Sequence, residues 1–148
     1  MRRDSRLSTV LHALLHMAEA KQPMTSEALA MCMNTNPVVV RRTMGLLRGA
    51  GFVTAGRGRG GGWRIARDLA GINLRQLHEA LGEPALFAVG NRTERSECLV
   101  EQAVNAALDD AFADAEALLL QRFEGVTLAE LAGDFARRHV SRRSRASK

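Results

Sequence analysis

Residues 56–64 read GRGRGGGWR, which packs five glycines, three arginines and the chain's only tryptophan into nine positions. Three kinds of segment have this composition: a disordered Arg-Gly linker, a phosphate cradle of a nucleotide enzyme, and a loop built to touch a polyanion. The flanking residues choose among them. A P-loop needs Gly-Lys-Ser/Thr opening a helix, and a dinucleotide fingerprint needs a helix after its last glycine. Here Trp63-Arg64-Ile65-Ala66 follows, with the inward and outward alternation of a strand, and Phe52-Val53-Thr54 precedes as a second strand. An Arg-Gly linker would be longer and more repetitive. The stretch is therefore expected to be the tip of a β-hairpin, with Arg57 and Arg59 projecting from a loop of little bulk.

Upstream, Asn36-Pro37 opens the segment PVVVRRTMGLLRGAG. Asparagine caps a helix by accepting its free backbone amides, and proline at the first helical position has no amide to satisfy. The spacing predicts a helix that buries Val40, Met44 and Leu47 and exposes Val38, Arg41, Arg42 and Arg48, ending at Gly49 or Gly51. Before it, Thr25-Ser26 caps a short helix carrying Leu29 and Met31, and Met33-Asn34-Thr35 forms a turn. The first helix starts at Asp4 or Ser5 and repeats Leu7, Leu11, Leu14, Leu15 and Ala18 at helical spacing. Helix, short helix, turn and capped helix make a helix-turn-helix, whose last helix enters the major groove by its N-terminal residues. A hairpin beside that helix is a wing. The plainer alternative is a three-helix bundle with solvated arginines.

The composition fits this plan. At 46% hydrophobic and 4% aromatic residues, with no tyrosine, the core must be filled by Leu, Val, Ala and Met, a mixture that favours helices. The net charge of +5 conceals an asymmetry. Residues 1–66 hold ten Lys/Arg against three acids, residues 98–136 hold one against eight, and residues 137–148 hold six against none. A basic front and an acidic helical section separate a polyanion-binding head from an assembly element. No stretch reaches the roughly 18 apolar residues of a membrane span, and the N-terminus lacks a signal-peptide pattern. Cytoplasmic residence is expected.

From Cys98 to about Arg122, apolar residues recur every three to four positions, including Val100, Ala103, Val104, Ala107, Leu108, Ala111, Ala115 and Leu118. A helix of about 25 residues is roughly 37 Å long, more than a small head can cover. Its alanines let a twin helix approach closely, so two chains are expected to share this face. Thr127 with Glu130 makes a capping box for a last helix that turns Leu128, Leu131 and Phe135 inward.

The run from Thr25 to Glu83 resembles the Rrf2 family of bacterial winged-helix transcription regulators. The likeness rests on TSEALA, NPVVVRRTMGLLRGAGFV, RGRGGGW and INLRQLHEALGE. The family pattern Arg-Gly-x-Gly-Gly followed by an aromatic is met by Arg57, Gly58, Gly60, Gly61 and Trp63, and with the outer helices the resemblance spans nearly the whole chain. It implies a homodimer that binds a partly palindromic operator on double-stranded DNA, usually as a repressor. By the same resemblance Val38, Arg41 and Arg42 read base edges or phosphates, Ser26 faces a phosphate, and Arg57 and Arg59 reach the minor groove. Cluster-binding members carry three cysteines around the start of the long helix, some with a histidine three residues on. Here Cys98 stands alone with Glu101 at the histidine position, and an iron-sulfur cluster needs more thiolates.

The expected architecture is thus mainly α with a small β wing. Residues 1–66 form a winged helix-turn-helix domain, 67–97 a connecting helix and linker, 98–139 dimerisation helices and 140–148 a basic flexible tail. No catalytic constellation, metal site or cofactor is expected; His12, His16 and Glu19 share a helix face that could in principle seat a metal, but they read as partly buried helix residues with hydrogen-bond partners. Cys32 reads as a small core residue. Cys98, close to Arg92 and Arg95 but also to Glu94 and Glu97, is the candidate redox sensor, and an unknown small-molecule or redox effector stays open as a partner. Two other functions remain: a protein-interaction module for an acidic partner, and an RNA-binding winged helix.

Overall fold

The computed structural model describes residues 4–87 and 97–146. In chain order its elements are α1 (Arg6–Glu19), α2 (Ser26–Met33), α3 (Pro37–Gly49), β1 (Val53–Gly56), β2 (Gly62–Ile65), a 3-10 turn (Leu69–Gly71), α4 (Leu74–Ala80), α5 (Leu99–Glu124) and α6 (Leu128–Ala146). Mainly helical, with one two-stranded antiparallel sheet, this is the expected fold class.

Each helix start has a chemical cause. The Asp4 carboxylate accepts the Arg6 amide at 2.9 Å, and the Arg6 guanidinium hydrogen-bonds the same group, which holds its carboxyl below the ordinary range. Thr25 Oγ1 accepts from the Ala28 amide, and Asn36 Oδ1 accepts from both Val38 and Val39. Asn73 and Gln76 exchange hydrogen bonds in a capping box on α4, and Thr127 and Glu130 do the same before α6.

One core gathers Val10, Ala13, Leu14 and Met17 of α1, Leu29 and Ala30 of α2, Val40, Met44 and Leu47 of α3, and Phe52, Val53 and Trp63 around the hairpin. The α1 face is turned by about one residue from the expected one. Leu7, Leu11 and Leu15 pack only at its margin, while Val10 and Met17 lie at its centre. Ile72, Leu77, Leu81 and Leu128 complete the same cluster, so a boundary at residue 66 falls inside it. The link is covalently remote and physically short: the Leu128 amide donates to the Ile72 carbonyl at 2.8 Å, and the Leu74 amide to the Val126 carbonyl at 3.1 Å. α6 accordingly packs back on α1. Two expectations for α6 are corrected. Phe135 is 43% exposed instead of inward. The helix continues to Ala146, so most of the stretch 140–148, expected as a flexible tail, is helical; four-apart bonds such as Arg138 Nε to Asp134 at 2.7 Å brace its middle.

α5 differs from the rest. Across its 26 residues, roughly 39 Å at 1.5 Å per residue, none is buried. It meets α4 near its C-terminal end, where Phe123 stands edge-on to His78 at 6.2 Å and Glu124 pairs with Arg75 at 3.1 Å.

Candidate nucleic-acid interface

The face of α3 opposite its buried row is fixed by that row. With Val40, Met44 and Leu47 all at 0% exposure, the 100° step between residues turns Val38, Arg42, Gly45 and Gly49 outward, flanked by Arg41 and Arg48. Val38 is 68% exposed, and all three arginines are exposed. A Cβ added at Gly45 or Gly49 would meet nothing within 4 Å, so this face is low at the two glycines, with Arg42 beside them and Arg41 and Arg48 along one edge. Arg41 reaches Glu27 of α2 at 3.6 Å in a solvent-exposed ion pair, which holds the side chain only weakly.

β1 and β2 pair with Gly56 opposite Gly62 and Val53 opposite Ile65, leaving residues 57–61 as the loop. Arg57 and Arg59 sit on that loop, both exposed. Two glycines make the geometry unavoidable. A Cβ at Gly61 would lie 2.7 Å from the Gly56 carbonyl oxygen across the hairpin. Gly62 has φ +140 and approaches the Met24 carbonyl, where a Cβ would lie 2.7 Å from the oxygen. That approach lets Trp63 and Met24 exchange backbone hydrogen bonds of 2.8 and 3.1 Å, so the segment before α2 acts as a third, one-residue strand. The Trp63 indole N–H then donates to Ser26 Oγ at 3.0 Å. The hairpin is thereby tied to the start of α2 and, through the core, to α3.

Gly62→Ala should therefore destabilise the fold by about 1–3 kcal/mol, because the methyl group meets backbone and the residue leaves its preferred conformations. Gly45→Ala, in mid-helix with open space, should be neutral or stabilise by up to about 1 kcal/mol. Thermal unfolding of the two variants should move in opposite directions.

Ser26 is the one site residue whose surroundings differ from expectation. Thr25 is the cap, and the Ser26 hydroxyl accepts the indole N–H, keeping its own hydrogen to donate outward. The structure brings Ser26, the α3 arginines and the wing arginines onto connected elements. Cys98 is remote in sequence from these and is exposed at the N-cap of α5. Its expected neighbours Arg92, Glu94 and Arg95 lie outside the described residues. Cys32, half-buried in α2, is less enclosed than a core residue. Sequence reading missed Glu27, whose place in the first turn of α2 was the only signal, and Arg64, which alternates outward from buried Trp63 and is exposed. Arg67 has a structural task, lying 4.5 Å over the Phe52 ring and donating to the Ala50 carbonyl at the end of α3.

This arrangement has relatives. YwnA of Bacillus subtilis, provisionally described as an HTH-type transcriptional regulator, is 34% identical over 110 residues, 74% of this chain and 80% of that protein. The crystal structure of a provisionally described transcriptional regulator from Lactobacillus plantarum superposes with a TM-score of 0.74, covering 97% of this chain and 99% of its own at 22% identity. IscR of T. potens gives a TM-score of 0.66 at 15% identity, over 90% of this chain and 88% of its own. These last two likenesses are of fold.

A family model described as Rrf2, an iron-dependent transcriptional regulator, matches residues 3–134. Iron held as a cluster does not suit this chain's donors. Its two cysteines stand on α2 and at the head of α5, and among the described residues no three His, Cys, Asp or Glu side chains converge. The other traits agree: a mainly helical fold with a small antiparallel hairpin, a family model over most of the chain, and kinship to a transcriptional regulator. The chain belongs to the Rrf2 family of DNA-binding transcriptional regulators.

Proposed function

We propose that this chain is a cytoplasmic repressor that binds a partly palindromic operator as a homodimer. The observation that carries the reading is the joint exposure of Arg41, Arg42 and Val38 on a capped helix and of Arg57 and Arg59 on a hairpin that Trp63 ties to the start of α2, which packs on that helix. In this reading α3 enters the major groove, where a guanidinium grips a guanine edge with two hydrogen bonds and Val38 meets a thymine methyl. Arg57 and Arg59 follow the minor groove, where the negative potential is deepest. The Ser26 hydroxyl donates to a phosphate beside the helix start. Two copies place two such heads about 34 Å apart, one turn of duplex.

Eight arginines per dimer predict a plot of log affinity against log salt with a slope of about −7 on duplex DNA. Fluorescence anisotropy over a salt series checks this, with structured RNA as competitor. A slope near zero would point to a protein-interaction module, and displacement by RNA at equal concentration would point to an RNA-binding winged helix.

A further inference from the structure

We propose that the junction of α1 and α6 binds one divalent transition-metal ion through His12 Nε2 and His16 Nε2. The two histidines stand four residues apart, on the side of α1 opposite the buried Val10, Ala13, Leu14 and Met17. Their rings stack with centroids 4.7 Å apart, and their Nε2 atoms are 3.0 Å apart. Both histidines line a cleft of about 160 Å³ together with Leu15, Glu19 and Phe135. Phe135, the α6 residue on the cleft wall, stacks on His139 with centroids 6.0 Å apart.

The distance carries the chemistry. With metal-nitrogen bonds of about 2.05 Å, two nitrogens 3.0 Å apart subtend an angle of about 94° at the metal. That is the cis angle of square-planar and octahedral ions, whereas a tetrahedral ion asks for about 3.3 Å. Cu²⁺ and Ni²⁺ are expected to bind more tightly than Zn²⁺, from their greater general affinity for imidazole. In the metal-free protein, a contact of 3.0 Å is a hydrogen bond in which one ring donates from Nε2 to the other. Metal binding replaces this hydrogen bond, with each Nε2 lone pair turned to the ion. Among the described residues no third His, Cys, Asp or Glu converges on the point, so water fills other positions, with Glu19 the nearest carboxylate on the cleft wall.

Titration calorimetry on tag-free, metal-stripped full-length protein, with Cu²⁺, Ni²⁺, Zn²⁺ and Mg²⁺ as probes, tests the assignment. One ion per chain is expected, tightest for Cu²⁺, then Ni²⁺, then Zn²⁺, with none for Mg²⁺. His12→Gln and His16→Gln should each weaken Cu²⁺ binding by more than about tenfold, since even partners one shell out cost 10–100-fold. Electron paramagnetic resonance of the Cu²⁺ form should show two coordinating imidazole nitrogens, falling to one in each variant. Circular dichroism verifies that the exposed substitutions leave the fold intact. Unchanged Cu²⁺ affinity in the double variant, or a spectrum without imidazole nitrogen, overturns the proposal, whatever the outcome of the DNA measurements.

Discussion

A chain carrying Val104→Glu and Leu118→Glu is expected to sediment as a monomer and to lose about 10²–10⁴ in operator affinity, the advantage that linking two binding heads confers. The reason lies in what α5 leaves uncovered. Val100, Val104 and Leu118 are 73%, 51% and 68% exposed, and with Ala107, Ala111 and Ala115 they fall within one narrow stripe along the helix. Covering each large side chain contributes about 1.5–3 kcal/mol, and the alanines between them permit close approach. In a two-fold pairing the same stripe faces itself, so each glutamate meets a like charge across the seam, on a helix that already carries Asp109, Asp110, Asp114 and Glu116. Because neither residue is buried in the single chain, helicity and core stability should survive. Sedimentation equilibrium and operator titration on the same preparations decide the matter. A dimer that persists, or an operator affinity that does not move, would remove α5 as the assembly surface.

Much of this molecule was legible because its signals are local. Asn36-Pro37 fixes a helix start by itself, and strands on both sides of GRGRGG leave a hairpin as the economical path. The same holds for Thr127 and Glu130, two residues three positions apart that complete each other's hydrogen bonds. What periodicity could not supply was the choice between adjacent faces of α1, since leucines at 7, 11 and 15 and the row Val10, Leu14, Met17 are both apolar at helical spacing. Packing against α2, α6, β2 and α4 settles it, and that information is not within the segment. The return of Leu128 into the head core, and the exposure of Phe135 that accompanies it, also depend on the bridge between Asn73 and Thr127, which lie far apart in sequence. At the interface, residue types announced the arginines, while the Ser26 hydroxyl as acceptor for Trp63 and the Glu27 pairing with Arg41 needed three dimensions.

Base reading and backbone attraction should separate cleanly in substitutions of α3 and the wing. Arg41→Ala is expected to cost about 1–3 kcal/mol at each half-site, hence roughly 30-fold to 10⁴-fold for the operator bound by a dimer. Its effect on random duplex should be small, a reduction of the salt slope by about 2 for two lost cations. Arg57→Ala with Arg59→Ala removes four cations per dimer and should flatten the slope by about 3–4 on operator and random duplex alike. Glu27 supplies the internal control. It holds Arg41 at 3.6 Å in the DNA-free chain, so docking must exchange that carboxylate for a base or phosphate. Glu27→Gln should therefore tighten binding to both duplexes without raising the operator's advantage over random DNA, and should do nothing in an Arg41→Ala background. Equal losses on operator and random duplex for Arg41→Ala would demote Arg41 from reading bases to neutralising phosphate. A Glu27→Gln effect that persists without Arg41 would show that the acid acts on the duplex directly, through the repulsion its charge exerts at the groove edge.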